Sequence, residues 1–266
     1  MGAWVSTPRG DGEVVAIYDT SLWTTPSDTN PVAVVVDDRI VVVDEADVEG
    51  RMRPEGAPAF DDVVQARGWH AGGVPFADDV EVLAITTHNG HHLTEDGYGD
   101  FAIDYVQTED DGRTFAGDGI DNADYAIWGL DVVAPRGGVV FDVVDAFADQ
   151  PPGVLGPFAT GNWVGLALGD DLYVYVFHLQ AGSIPVGLDV GDVVEEGALL
   201  GRVGNSGYSL EPHLHIVAYA WQEHLQRSFS VPLPLRRALT SSSKGGPYTL
   251  QEWLHVDAGT WLQPAP

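Results

Sequence analysis

Cysteine is absent from this chain of 266 residues. Its absence excludes disulfide bonds and metal sites built from thiolates, so any metal ion must be held by histidine and carboxylate side chains. No run of 18 apolar residues occurs, and we therefore expect no membrane-inserted segment. The first six residues lack the basic and apolar regions of a signal peptide, a pattern shared by cytosolic proteins and processed secreted ones.

Basic residues are also scarce. The chain has 12 basic against 40 acidic residues, a net charge of -28, and Lys244 is its only lysine. Such a surface repels phosphate backbones and anionic lipids, so we expect neither a nucleic-acid partner nor a membrane-surface partner. Aspartate outnumbers glutamate 28 to 12. This bias is typical of adaptation to high salt, and a GC-rich genome would produce the same bias.

Residues 1–80 predict a β-rich N-terminal lobe. Three short apolar segments have strand character: 13–18, 32–36 and 40–43. The pair Asp37 and Asp38 between the last two predicts a hairpin turn. Residues 61–67 predict one short helix that ends before Gly68. We assign no chemistry to this lobe and expect its only histidine, His70, to be structural.

Strand-like segments continue after Val80 without the alternation of strands and helices that marks a parallel sheet, so we predict a mainly β fold with an antiparallel core. Residues 190–201 have the glycine pattern of a tight β-arch, as in lipoyl and biotinyl carrier domains. Those carriers need a lysine at the hairpin tip, and this arch has none. A carrier function is therefore excluded.

The segment 204–216 is the most informative part of the chain. It reads Gly-Asn-Ser-Gly-Tyr-Ser-Leu-Glu-Pro-His-Leu-His-Ile. On a strand, His213 and His215 point to the same face while Leu214 points to the other. Two imidazoles on one face suit a zinc site, and a catalytic zinc site keeps one position open for water. By themselves, the two histidines could equally be hydrogen-bonded core residues.

The whole segment resembles the C-terminal motif of the lysostaphin-type (LytM-like) zinc endopeptidases, which cut bacterial cell-wall peptides. The resemblance extends over about residues 88–220. It implies an antiparallel LytM-like core with a lipoyl-like arch. We accordingly predict an N-terminal lobe at 1–80, a zinc peptidase domain at 81–235 with an insertion at 107–130, and a C-terminal tail at 236–266.

The resemblance also implies a zinc site formed by His92, Asp104 and His215. Asp104 lies in Phe-Ala-Ile-Asp-Tyr, similar to a family variant of the first ligand motif. The histidine partner of that aspartate is open among His88, His91 and His92. We favour His92 because it directly precedes an apolar residue, as in relatives that carry an insertion.

Two further histidines match the family's catalytic positions, His178 and His213. An imidazole beside a metal-activated water can accept its proton and return it to the leaving amine, while a second one stabilises the oxyanion. Asp131 follows the insertion and resembles a ligand, but no histidine precedes it at Ile127, so we do not expect it to bind zinc. The Asp- and Gly-rich loop 109–124 is predicted to be a solvated insertion, with a calcium site as the alternative.

The predicted function is a zinc-dependent endopeptidase acting on peptides, with cell-wall peptides of the peptidoglycan type implied by the resemblance. The same resemblance implies an extracellular or cell-envelope location. One alternative is a catalytically silent LytM-like binding or regulatory module. Another is a metal-dependent sugar-binding β protein, against which the long motif argues. The oligomeric state is open.

Overall fold

A computed structural model describes residues 2–23, 25, 27–77, 79–86, 92, 96–158 and 160–266. Within these ranges the chain forms 18 β-strands, one α-helix and a few short 3₁₀ turns. Every pair of neighbouring strands in the sheets is antiparallel. The predicted fold class, mainly β with an antiparallel core, is confirmed.

The N-terminal sheet has five strands in the order β4-β3-β2-β1-β5. These are β1 (Trp4–Thr7), β2 (Gly10–Ile17), β3 (Pro31–Val36), β4 (Arg39–Asp44) and β5 (Glu49–Gly50). Val36 pairs with Arg39, so Asp37 and Asp38 form the predicted two-residue turn. Asp37 has a φ of 52°, the left-handed conformation that such turns require and that aspartate tolerates better than most residues.

The helix α1 (Phe60–Arg67) follows the sheet. Its N-terminal turn carries Asp61 and Asp62, and the Asp62 carboxylate accepts a hydrogen bond from the backbone of Ala59 at 3.0 Å. Acidic residues there complement the helix dipole. Gly68 ends the helix in the left-handed conformation, as predicted.

A large sheet of eleven strands forms most of the rest of the molecule, in the order β12-β9-β10-β11-β14-β7-β6-β18-β16-β17, with β15 paired to β14. Its strands are β6 (Val82–Thr86), β7 (Ile103–Val106), β9 (Gly138–Val144), β10 (Trp163–Gly169), β11 (Leu172–Phe177), β12 (Val193–Val194), β14 (Leu214–Gln222), β15 (Arg227–Ser230), β16 (Leu235–Ser241), β17 (Thr249–Leu254) and β18 (Trp261–Pro264). The three strands β7, β14 and β11 lie side by side near its middle, which places their ends together.

The β-arch predicted at residues 190–201 connects two sheets. β12 joins the edge of the large sheet, whereas β13 (Leu199–Arg202) pairs with β8 (Asp131–Val133) in a separate two-stranded sheet. Consecutive strands that do not pair with each other define an arch. Gly197, with a φ of 83°, lies in the turn between them.

The last thirty residues are part of the large sheet. β18 pairs with β6, and β16 pairs with both β17 and β18. The segment predicted as a tail therefore forms three strands, and the division into an N-terminal lobe, a peptidase domain and a tail remains a prediction.

The two main sheets share one buried core. Ala33 and Val42 of the N-terminal sheet belong to the same cluster of buried apolar residues as Ala218 and Phe229 of the large sheet. The side chain of Gln222 joins the sheets: its Oε1 accepts from the backbone N–H of Val42 at 2.9 Å, and its Nε2 donates to a carbonyl of β4 at 3.1 Å. Because buried backbone groups need partners, these bonds determine how β4 docks.

Candidate metal centre and active site

Strand β14 carries the second histidine of the His-x-His pair into the middle of the large sheet. His215 lies opposite Asp104 of β7 on one side and opposite Phe177 of β11 on the other. Directly opposite residues in antiparallel strands have Cβ atoms about 4.5 to 5.5 Å apart, so this register brings an imidazole and a carboxylate into contact. Leu214 is fully buried on the opposite face, as strand alternation predicts.

Asp104 contacts two histidines through its two carboxylate oxygens. Its Oδ1 lies 2.9 Å from His215 Nδ1, and its Oδ2 lies 2.9 Å from His92 Nε2. Asp104 is only 1% exposed. Burial raises the pKa of this carboxyl, but the charge of His213 and the hydrogen bonds from His215 and His92 outweigh burial and hold the pKa well below its usual value. The carboxylate is therefore ionised.

His92 completes a cluster of three possible metal donors. Its ring packs edge-on against His215, with centroids 4.6 Å apart, and the residue is buried. One donor atom from each of His92, Asp104 and His215 lies within 4.8 Å of the others. The structure thus brings together the three predicted ligands. His88 and His91 lie outside the described residues, so the choice among the three histidines stays a prediction.

The chemistry and spacing of this cluster fit a zinc ion. Two imidazoles and one carboxylate form a common catalytic ligand set, which leaves a fourth position open. Ligands at ~2.0 to 2.1 Å around a tetrahedral ion lie about 3.3 Å apart. The two nitrogen-to-oxygen distances at Asp104, both 2.9 Å, are close to this spacing. Small adjustments of the side chains would therefore accommodate the ion.

His178 lies next to this cluster, directly after β11. Its φ of 62° lies in the left-handed region, which is uncommon for a residue other than glycine. Its Nδ1 lies 2.8 Å from the carbonyl oxygen of Ser206, so Nδ1 carries the proton and Nε2 is left as an acceptor. Burial, and then the charges of His213 and His215, keep the pKa of His178 well below its usual value. The imidazole is therefore neutral.

His213 is held in the same way as His178. Its Nδ1 lies 2.8 Å from the carbonyl oxygen of Glu211, which makes Nδ1 the donor, and its Nε2 lies 3.7 Å from Asp104 Oδ1. The rings of His178 and His213 have centroids 4.7 Å apart. Donor atoms of these two residues and of His215 lie within 4.8 Å of one another. All five predicted site residues therefore converge, although their roles stay predictions.

The turn 204–207 explains why the motif uses glycine and serine there. Gly207 has a φ of 81°, and a Cβ on it would lie 2.1 Å from the carbonyl oxygen of Thr160, so no side chain fits. Next to it, the Ser206 hydroxyl donates to the carbonyl of Leu179 at 2.8 Å and accepts from the backbone of Asn162 at 3.0 Å. The turn is thereby fixed with the Ser206 carbonyl directed at the His178 ring.

An aromatic groove of about 980 Å³ opens over the histidines. The aromatic side chains that line it include Tyr98, Trp163, Tyr175, Phe177, Tyr208 and Tyr219. Tyr175 and Phe177 lie on the same face of β11 and stack with centroids 5.4 Å apart. The sequence predicted a groove across the metal site but not the aromatic side chains that line it. The alternation of aromatic residues with valine along 173–177 could have indicated them, because period-two patterns mark one face of a strand.

Neither of the competing sites suggested by the sequence joins the cluster. Asp131 lies on β8 and forms an exposed ion pair with Arg202 at 3.1 Å, as expected for a residue that is not a ligand. In loop 109–124, all of which is described, no three carboxylates lie close enough to share an ion. The Asp111 carboxylate there accepts from Arg113 Nε at 2.8 Å instead.

The fold and the site together define a β-rich domain with a candidate metallopeptidase centre. Residues 118–226 match the model of peptidase family M23, which confirms the resemblance to the LytM-like peptidases over that segment. The match includes His178, His213 and His215 and begins after Asp104. No curated protein matches the chain.

Three solved structures illustrate the similarity. A glycyl-glycine endopeptidase lytM from Ruminococcus gnavus is 20% identical over 64% of this chain and 61% of that chain, with a TM-score of 0.40. The catalytic domain of the M23 protein EnpA from Enterococcus faecalis is 22% identical over 59% and 92%, with a TM-score of 0.37. The catalytic domain of lysostaphin from Staphylococcus simulans is 17% identical over 58% and 84%, with a TM-score of 0.30. This chain spans about three fifths of the first structure.

Among the described residues, no helix has the length and apolar character needed to cross a bilayer.

Proposed function

We propose that this protein is a zinc-dependent endopeptidase that hydrolyses peptide bonds in cell-wall peptides. The observation that carries the proposal is the convergence of a buried carboxylate and four histidines in the lining of the aromatic groove. His92, Asp104 and His215 would hold the ion. A bound zinc supplies a Lewis acid that polarises a carbonyl group and lowers the pKa of water.

His178 and His213 would handle the proton of the reaction. Each donates Nδ1–H to a backbone carbonyl, at 2.8 Å in both cases, which holds the ring and keeps Nε2 available. One Nε2 can accept the proton of the attacking water and pass it to the leaving amine. The other, once protonated, can donate a hydrogen bond to the oxyanion.

Asp104 supports this chemistry in addition to its proposed role as a ligand. Its negative charge lies 3.7 Å from His213 Nε2, where it can stabilise positive charge that develops on that ring during proton transfer. The buried position of the carboxylate strengthens the effect, because charges interact more strongly where water is excluded.

Cell-wall peptides are proposed as substrates from the resemblance, and with them an extracellular or cell-envelope location. The groove volume of about 980 Å³ is large for a ligand site, and its aromatic walls favour apolar contacts with the substrate. A catalytically silent binding module is the alternative, and the occupation of all five predicted positions argues against it.

The test is digestion of purified peptidoglycan and of short cell-wall peptides, with new amino termini measured by mass spectrometry. We expect cleavage by the wild-type protein and by His255→Ala, whose histidine lies on the surface next to Asp61. We expect no cleavage by His178→Ala. Wild-type protein that contains zinc and binds these peptides without cutting them would instead establish the silent module.

A further inference from the structure

Two arginines line a small cavity of about 120 Å³ away from the aromatic groove, and a third arginine lies beside it. The cavity is lined by His70, Gly73, Glu196, Arg236 and Arg237. Arg136 lies beside it and donates from Nη1 to the carbonyl oxygen of His70 at 3.0 Å. The lining shares no residue with the groove over the histidine cluster. It is therefore a separate site.

These three arginines differ from most of the other arginines in the chain, which form ion pairs with acidic side chains. Five other arginines form ion pairs with carboxylates: Arg51, Arg53, Arg67, Arg113 and Arg202. In the described part of the chain, Arg136, Arg236 and Arg237 pair with no aspartate or glutamate, and Arg237 Nη2 donates to the oxygen of Pro266 at 2.7 Å. In a protein with 40 acidic residues, this leaves positive charge at one place, above all on Arg136 and Arg236.

The backbone beside the cavity is strained at Arg237. Its φ of 51° lies in the left-handed region, which costs free energy for a side chain of this size. Strained backbone conformations of this kind cluster at binding and active sites. Here the strained residue and its neighbour Arg236 both line one cavity.

Polar atoms beside the cavity also lack partners. His70 is 6% exposed, and its Nδ1 has no hydrogen-bond partner among the residues that the structure describes. The Nε of Arg136 is likewise buried without one. Burial and the charges of Arg136 and Arg236 lower the pKa of His70 to about 4. The positive charges at this cavity thus oppose one another, and an anion would relieve that repulsion.

We propose that this cavity binds a small oxyanion, namely a phosphate group. Arg236 and Arg237 line the cavity together with Glu196, and Arg136 adds a third guanidinium group beside it, so the surroundings carry a net positive charge that favours an anion. Guanidinium groups bind phosphate oxygens in pairs with good geometry. The volume of about 120 Å³ equals that of roughly four liquid waters, which is room for a group of five heavy atoms. Free phosphate and a phosphate monoester offer the same chemistry.

The site would also connect distant parts of the chain. The backbone N–H of Gly73 donates to the Pro135 carbonyl at 2.7 Å, and the backbone N–H of Arg236 donates to the Gly72 carbonyl at 2.8 Å. The segment after α1, the loop before β9 and strand β16 therefore meet at the cavity. A bound phosphate would hold all three together.

The experiment is isothermal titration calorimetry of the intact protein with sodium phosphate, in dilute phosphate-free buffer near neutral pH. We expect one phosphate per chain, and at least tenfold weaker binding by Arg236→Gln. Arg236→Lys keeps the charge without the paired donors, so its affinity for phosphate should lie between those of the wild type and Arg236→Gln. The matched control is Arg39→Gln, an exposed arginine on the N-terminal sheet, which should bind like the wild type.

Further measurements decide the ligand class. Glycerol phosphate binding as tightly as inorganic phosphate would identify the phosphate group of an ester as the ligand, and a preference for inorganic phosphate would identify the free ion. By NMR, phosphate should raise the pKa of His70. The proposal is overturned if the wild type binds no phosphate, if acetate binds equally well, or if a folded Arg236→Gln variant binds unchanged.

Discussion

Asn122 accepts a hydrogen bond from the side-chain amide of Asn205 at 3.0 Å. This bond joins the predicted insertion at residues 107–130 to the turn that precedes the His-x-His strand. Asn205 is fully buried, and its Oδ1 accepts from the Ser209 hydroxyl at 2.6 Å. Ser209 Oγ in turn lies 3.3 Å from His213 Nδ1. The insertion thus reaches a proposed catalytic histidine through two buried side chains.

Replacing Asn122 by alanine should therefore disturb the position of His213 without removing the metal. The substitution also removes the hydrogen bond that Asn122 Nδ2 donates to the Gln150 carbonyl at 2.8 Å. If the proposed peptidase function holds, we expect kcat to fall about threefold to tenfold, which corresponds to ~0.5 to 1.5 kcal/mol, the usual net contribution of the one bond that leads to His213. KM and zinc content should change little. Ile120→Ala is the control, because that residue is exposed in the same loop. An unchanged kcat for Asn122→Ala would show that the insertion does not position the site.

Removing a proposed ligand should remove the metal. His215→Ala takes away the residue that belongs to both donor groups, and we expect stoichiometric zinc in the wild type to be lost. Elemental analysis of the purified variants measures this directly. His255→Ala should keep its zinc. If His215→Ala retained one zinc per chain, the proposed site would be wrong.

Removing a proposed proton-transfer residue should have a different effect. His178→Ala should keep zinc, and its peptidase activity should fall roughly 10²-fold to 10⁴-fold, which is the usual contribution of a general acid or base. The comparison requires zinc content and peptide cleavage to be measured on the same preparation. Release of zinc from this variant would make His178 a ligand.

Buried His70 should make stability depend on pH. Its folded pKa of about 4 lies below its ordinary value of 6.5, so the unfolded state binds more protons between these values. The contribution of neutral His70 to the free energy of unfolding is fully present above pH 6.5. It is lost as the pH falls toward 4, which lowers the free energy of unfolding by roughly 3 kcal/mol in total.

The measurement compares wild type with His70→Gln by urea unfolding from pH 7 to 4 in phosphate-free buffer. Carboxylates titrate in both proteins, so the difference in unfolding free energy isolates the histidine. Wild-type stability should fall more steeply than that of the variant. Parallel curves would show that the pKa of His70 is not lowered.

The acidic surface should make the protein sensitive to salt. At ~0.01 M salt the Debye length is about 30 Å, so most surface carboxylates repel one another, and at ~1 M it is about 3 Å. We expect Tm to rise steeply with NaCl, while zinc occupancy, set by buried ligands, stays constant. A flat melting series would favour a GC-rich genome over a high-salt habitat as the origin of the composition.

Local features of this fold were predictable because they depend on neighbouring residues. The backbone preferences of single residues predict the turn at Asp37 and Asp38 and the end of α1 at Gly68. The orientation of His213 and His215 to one face, with Leu214 buried on the other, follows from the two-residue period of a strand.

The sequence by itself determined the β class, the motif of 204–216 and the residue types able to hold a metal. Only the tertiary structure placed Asp104 opposite His215, because strand register depends on pairing between segments 111 residues apart. The same reason applies to the arginine cavity, where residues 70, 136 and 236 meet although no short motif contains them. Contacts between distant segments are decided by packing of the whole core, which local preferences do not encode.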